Sequence, residues 1–421
     1  MVTLSNADKA LKEVYLGVVS DQLNLTVNPL LAKINQTTND VWGSEIKKMA
    51  PYGINGGIGA GTETGDLPVA AQNNYEQFTL TLKNLYGKIE ISDKAMRASL
   101  SSAGAFVNLL NAEMEGLVKA SAFNLGRMLY SDGSGKLCSI VTNTTTTFTV
   151  SSVKNLVEGM VIDVIDGSGN VSQTVAAKRI VGIDRTNKTV TITGVTMTAE
   201  AFEPTQSTTY YLCVQGSYGK ELTGLGAIFS DSGSIYGLSR STYSWLVPYM
   251  KDISVSGTAQ DINDLTIQKV LDYLTETYNS NIDFICCSAG VKRNYQEYFS
   301  TYRTNVDYME LNGGFKAISY NGIPIVSDRF IDDGTMFMLN TKEFNLHQLC
   351  DWKWLEGEDG RVIKQNLNKP TYSATLVKYA DLICNQPSRR ALCLLLLTQY
   401  IAILRKKNHK IWNRKYEKRL L

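Results

Sequence analysis

The residues that could do chemistry are few and badly spaced for it. The chain has 421 residues and only two histidines, which leaves little material for an imidazole base or an imidazole-rich metal site. His347 and Cys350 stand at i and i+3, but two ligands do not close a zinc site and no partner pair lies nearby. The stretch 53–65, GINGGIGAGTETG, invites a phosphate-loop reading. Such loops need Gly-x-Gly-x-x-Gly between strand and helix, or a closing Gly-Lys-Ser/Thr. Here Thr62 stands where Gly57-x-Gly59 would need its third glycine, and no Lys-Ser/Thr follows, so an open loop is the better reading. Gly133-Ser134-Gly135-Lys136 is followed by Leu137 in place of a hydroxyl and reads as a helix-ending turn. Asp332-Asp333-Gly334 reads as a turn. Asp166-Gly-Ser-Gly-Asn170 lacks the acidic ladder of a calcium loop. With no serine elbow, Cys–His pairing or carboxylate constellation, the expectation is a protein that is not an enzyme and holds no catalytic residue, metal or cofactor.

The elements that would position side chains are easier to read. Spacing of Ala7, Leu11, Val14, Tyr15 and Val18 predicts a helix within 6–34, which Pro29 interrupts ahead of an irregular arm. Six glycines, Gly53, Gly56, Gly57, Gly59, Gly61 and Gly65, make helix or packed strand unfavourable over 51–74. The following segment, 75–92, alternates apolar and polar residues as strands do. Together they predict a long two-stranded excursion with a glycine-rich tip. The clearest helix lies over 103–130, about 42 Å long at 1.5 Å per residue, with Phe106, Leu110, Leu117 and Phe123 as its core candidates. From 138 to 216 short Thr- and Val-rich strands separated by Gly, Asn and Asp predict a small all-β module. Mixed α/β character returns over 217–340. There a helix through Leu265, Val270, Leu271 and Leu274 is capped by Asp261 or Asp264, and Asn321-Gly322 marks a hairpin. More strands fill 341–385.

Composition bounds the class. Hydrophobic residues make up 43% and charged residues 19%, as in a globular chain of two or three domains. The seven cysteines are odd in number and include no Cys-x-x-Cys, which points to reduced, packed thiols. The start, MVTLSNADKALKEVY, has no signal-peptide pattern, and no apolar run reaches the roughly 20 residues of a membrane span. Synthesis and folding in a cytoplasm, away from membranes, are expected. Net charge is +2, yet 389–421 carries ten Lys and Arg against the single acid Glu417, leaving 32 basic and 39 acidic residues elsewhere. A mildly acidic body has no basic face for reading a nucleic acid. The apolar and basic tail, 388–421, has two readings: an anchor touching DNA or an anionic surface, or an out-of-frame extension with no selected role. The second is preferred.

The order of these parts, with the stretch Asn321–Thr341 and its Gly322-Ile-Pro324-Ile-Val-Ser-Asp328, resembles the major capsid proteins of tailed bacteriophages, the Hong Kong 97-like fold. The resemblance implies an α+β chain with an N-terminal arm (1–50), an extended β loop (51–90) and a peripheral domain with a spine helix (91–137). An inserted all-β domain (138–216), an axial α/β domain (217–340) and peripheral return strands (341–387) would follow, ending in the atypical tail (388–421). It implies self-assembly as pentamers and hexamers into an icosahedral shell that encloses double-stranded DNA without sequence-specific binding. Scaffolding, portal and decoration proteins would be its further partners, assembly would take place in the bacterial host cytoplasm, and the final location would be the virion. The glycines over 53–65 would form an intersubunit loop. Three rivals remain: the shell subunit of an encapsulin-like compartment; a secreted surface or adhesin protein, which would need an export signal; and an enzyme, which would need a convergent polar pocket that the sequence does not advertise.

Overall fold

The computed structural model describes residues 28–39, 41, 45–94, 103–194, 196–198, 201–204, 208–253, 260–302, 308–311, 315–357, 360–386 and 391–394. Most of the helix expected within 6–34 lies outside these residues; 28–34 form a turn in which Asn28 Oδ1 accepts from the Leu30 and Leu31 amides. In chain order the elements begin with β1 (Asn35–Thr37), β2 (Ile46–Tyr52), β3 (Asn74–Leu80), β4 (Lys83–Ser92) and helix α1 (Ala103–Met128). Six short strands follow: β5 (Lys136–Asn143), β6 (Thr147–Val150), β7 (Val161–Ile165), β8 (Lys178–Asp184), β9 (Thr189–Ile192) and β10 (Tyr211–Val214). Next come α2 (Leu225–Ile228), β11 (Ser234–Ile235), β12 (Leu238–Ser239), β13 (Tyr249–Asp252), α3 (Asp264–Tyr278), β14 (Phe284–Cys287) and α4 (Ala289–Tyr302). Last are β15 (Tyr308–Leu311), β16 (Phe315–Tyr320), β17 (Ile323–Ser327), β18 (Thr335–Leu339), β19 (Phe344–Trp354), β20 (Lys364–Gln365), β21 (Thr371–Cys384) and β22 (Ala391–Leu394).

Three apolar cores organise these elements. The largest lies under α1 and a sheet in which β21 is flanked by β4 and β19, with β1 parallel to β19. The helix lies directly on β4 because Gly87 has no side chain: a Cβ there would come within 3.0 Å of Leu117 Cδ1. The second core fills a seven-stranded mixed sheet, β13-β22-β18-β14-β17-β16-β15, on the side of α3 and α4. Strand β14 shows why its sequence is apolar throughout. Ile285 and Cys287 face the helices, while Phe284 and Cys286 face the first core, so both sides are buried. Neighbouring β18 divides the same way, with Met336 and Met338 on one side and Phe337 and Leu339 on the other. The third core fills a closed six-stranded barrel, β10-β5-β6-β9-β8-β7.

Several local expectations change in the folded chain. The strand expected to complete the excursion after Leu80 leaves it: β2 pairs with β3 alone, and β4 runs antiparallel to β21, with Tyr86 opposite Val377. Alternation reveals a strand but not its partner. The cap of α3 is Asn263, whose side chain accepts from the Thr266 amide, and not Asp261 or Asp264; Asp264 is the first helical residue. Four residues of the tail, Ala391–Leu394, form a strand. Ala391–Leu394 is inserted between β13, which it parallels, and β18. Four apolar residues inside a longer apolar run carry no periodicity that would mark them as a strand. The Asn321-Gly322 hairpin forms in register, with Tyr320 opposite Ile323 and both turn residues at positive φ.

Candidate assembly surface

The ribbon of β2 and β3 carries the glycine loop, residues 53–73, away from the body. Its base is tied down by aromatic stacking. Tyr52 stacks on Trp245 with ring centroids 5.3 Å apart, and Phe78 lies 5.2 Å from Tyr236 and 5.9 Å from Trp245. The Tyr243 hydroxyl donates to Glu76 at 2.9 Å, and that bond to a carboxylate raises the Tyr243 pKa. Beyond Tyr52 this anchoring stops. All six glycines singled out in the sequence lie in the loop, and its two arms run close together: a Cβ on Gly57 would sit 3.1 Å from the Ala71 amide, and one on Gly59 3.1 Å from Pro68 Cγ. The loop's large apolar side chains find no cover in the subunit. Ile54, Ile58, Leu67 and Val69 are 77%, 78%, 89% and 88% exposed. Solvated apolar residues scattered singly are ordinary, whereas four stand here on one loop.

Helix α1 lies against β4. Its buried face consists of Met114, Val118, Ala122, Leu125 and Met128, while Leu117 and Phe123 are half-buried against the same core. The side chains of Phe106 and Leu110 lie outside the described residues. Position along the helix could not separate a fully buried from a half-buried residue, because β4, the loop after β17 and the barrel all border that face.

The barrel is fixed to the helix by charge. Arg127 on α1 forms a two-pronged ion pair with Glu221, just beyond β10, with Nη1–Oε2 at 2.9 Å and Nη2–Oε1 at 2.5 Å. Asn124 Oδ1 also accepts from Arg127 Nε and Nη2 at 3.1 and 2.8 Å. Both charged residues are almost fully buried, at 2% and 1% exposure, so neither is dispensable alone. A second tie joins Lys154 of the barrel to Asp333 at 2.9 Å and to the Ile331 carbonyl. Asp333 thus does more than turn the chain. Lys178–Asp184 is a strand of the barrel wall, and Arg185 just beyond it pairs with Glu158, which lowers the Glu158 pKa. Nothing in local sequence pairs residues 94 or 179 positions apart.

The buried titratable groups belong to packing. Lys378 on β21 is fully buried and donates to Gln348 and Asp351 at 2.7 and 2.6 Å; burial lowers its pKa. Asp381 accepts from the Thr223 amide at 2.7 Å and the Thr223 hydroxyl at 3.1 Å, yet burial pushes its pKa up to about 6. Tyr130 donates to Asp328 at 3.1 Å beside Cys286, and burial raises the pKa of all three. Asp166 closes a turn by accepting from the Ser168 and Asn170 amides. His347 and Cys350 lie on β19 in the packed sheet. Among the described residues no cluster of three or more His, Cys, Asp or Glu could hold a metal ion, and no helix is long and apolar enough to cross a membrane.

No protein-family model and no curated protein matches the chain. Among solved structures it is similar to a chain of the cyanophage A-1(L) capsid asymmetric unit, with 12% identity over 89% of this chain and 94% of that one and a TM-score of 0.53. Chains of Gordonia phage Cozz and of the SrpI encapsulin of Synechococcus elongatus PCC 7942 align with TM-scores of 0.45 and 0.43. The α+β chain therefore has a capsid-protein fold, shared along almost the whole of the cyanophage subunit.

Proposed function

We propose that the chain is the major capsid protein of a tailed bacteriophage, a structural subunit that assembles with copies of itself and encloses double-stranded DNA. The observation that carries this is the glycine loop, an anchored ribbon whose tip exposes four large apolar side chains inside a capsid-protein fold. A ribbon tipped by such a loop needs a second molecule to cover it. In the finer Hong Kong 97-like reading, residues 1–50 are an N-terminal arm and 51–90 an extended loop. Residues 91–137 and 341–387 then form the peripheral domain, 138–216 an inserted domain, and 217–340 an axial domain around five- and six-fold axes. Interlocking arms suit a subunit that must sit in both pentamers and hexamers, because many weak contacts add through multivalency. On this reading assembly takes place in the host cytoplasm, and scaffolding, portal and decoration proteins act on the same shell.

The test is negative-stain electron microscopy of the full chain expressed alone and with candidate scaffolding proteins. Truncation belongs no earlier than Leu394, since β22 is part of the central sheet. Closed shells or capsomer rings are the expected result. Shells that hold only protein cargo would favour the encapsulin-like reading, and a monomer under all these conditions would overturn the shell reading.

A further inference from the structure

Among the described residues the barrel's strands pair with one another and not with the body, and its core shares no residue with the other two. Without a common apolar core, packing does not fix the angle between two units of one chain. Two stretches join the barrel to the body, 129–135 and 215–224, and they run side by side: the Gly219 amide donates to the Ser134 carbonyl at 2.9 Å. Each carries two glycines in the left-handed region, Gly133 and Gly135 at φ 77° and 80°, Gly216 and Gly219 at 63° and 67°. The buried pair of Arg127 and Glu221 pins these connectors to α1 at a site that salt screens little. Adjacent connectors, pinned at one point and rich in glycine, have the make-up of a hinge.

The second tie is of another kind. Lys154 reaches from the barrel to Asp333 and to the Ile331 carbonyl, with side-chain exposures of 27% for Lys154 and 74% for Asp333. Such a pair adds little stability and is readily screened. Beside it runs a cleft of about 1570 Å³ between β4, α1 and the barrel. Its walls carry one sign of charge: Arg179 on the barrel, Lys220 on a connector, and Lys83, Lys119 and Arg329 on the body. The two acids of the cleft, Glu158 and Glu221, are already paired with Arg185 and Arg127. Like charges on facing walls repel and favour a wider cleft. We propose that the barrel turns as a rigid body on its glycine connectors, and that Lys154 is the latch that holds it in against the repulsion of the cleft cations. One subunit can then present its barrel at more than one angle, which copies in unequal surroundings of a shell would require. The hinge itself is a property of the single chain and stands or falls apart from the shell reading.

The experiment is double electron–electron resonance on the full chain, with spin labels on ketone-bearing unnatural amino acids at exposed Thr186 in the barrel and exposed Lys88 on β4. Excess unlabelled chain restricts the signal to distances within one copy. The parent chain should give one narrow distribution. K154A should shift it to longer distance and broaden it about twofold. K119E added to K154A turns one wall cation into an acid and should shorten the mean again. G216N/G219N added to K154A should narrow the distribution. Asn tolerates the left-handed backbone without glycine's freedom, and an added Cβ at either position meets nothing within 4 Å. A second label pair inside the barrel, at Thr186 and Ser168, should be unchanged in every variant. A K154A distribution identical to the parent's would overturn the latch, and one that G216N/G219N leaves broad would overturn the glycine hinge. Broadening of the pair inside the barrel would mean local unfolding and would overturn rigid-body motion.

Discussion

The barrel and the glycine-tipped ribbon both project from the same body, and they treat their apolar side chains in opposite ways. The barrel closes on itself, so its strands have no free edge, and Phe148, Ile162, Val164, Val190 and Leu212 are fully buried inside it. The ribbon has two strands, too few to be stable alone, and depends on Trp245 and Tyr236 at its base. Past that point its apolar residues face solvent. One excursion is complete within a single chain. The other leaves its apolar side chains in water. On the proposed shell reading, the difference separates what this chain needs in order to fold from what it needs in order to assemble.

Substitutions can sharpen or break that contrast, and the largest effect belongs in the barrel. Phe148→Ala empties a fully buried site between β6 and the Phe202 ring, and should cost about 3–5 kcal/mol in chemical denaturation. The barrel should melt in a separate, earlier step than the rest; one unchanged cooperative transition would mean that the barrel does not depend on its own core. At the barrel's attachment, Glu221→Gln leaves Arg127 buried with a neutral partner. A loss of about 3 kcal/mol is expected, with faster proteolysis near 133–136 and 215–222. An unchanged unfolding midpoint would show that the ion pair does not secure the barrel.

The body offers a pH-dependent counterpart. Asp381, between the sheet and Thr223, has a folded pKa of about 6 against an ordinary 3.8, because burial disfavours its charge. The folded chain therefore holds a proton that the unfolded chain has released, and this group's contribution to stability falls as pH rises from about 4 to about 6. The shift of about two units is worth on the order of 3 kcal/mol at most. Asp381→Asn should flatten that part of the stability curve, with one proton fewer taken up on folding; an unaltered slope would exclude Asp381 as its source. The smallest effect on the subunit belongs to the loop. Leu67→Ser should shift unfolding by less than about 0.5 kcal/mol, since the side chain is already in water, while the yield of assembled particles falls severalfold. A destabilised subunit would mean that the loop packs within its own chain.

Much of the fold was legible because its signals are local. Asn321-Gly322 between apolar runs became a hairpin, and the long apolar pattern after residue 102 the helix α1. The candidate site was legible only in half. Glycine density marked the loop, and its exposure follows from a composition that cannot pack. A basic groove between β4, α1 and the barrel had no signal, because its cations come from 83, 119, 154, 179, 185, 220 and 329, and only Arg179 and Arg185 share a short window of sequence.

By itself, then, the sequence determined where chain would be rigid and where it would be thin and adaptable. Tertiary structure decided the partners: β4 with β21 instead of the ribbon, Ala391–Leu394 between β13 and β18, and Arg127 with Glu221. Periodicity and turn residues act over a few positions, whereas a strand edge or a buried charge is satisfied by whatever the folded chain brings within hydrogen-bonding distance.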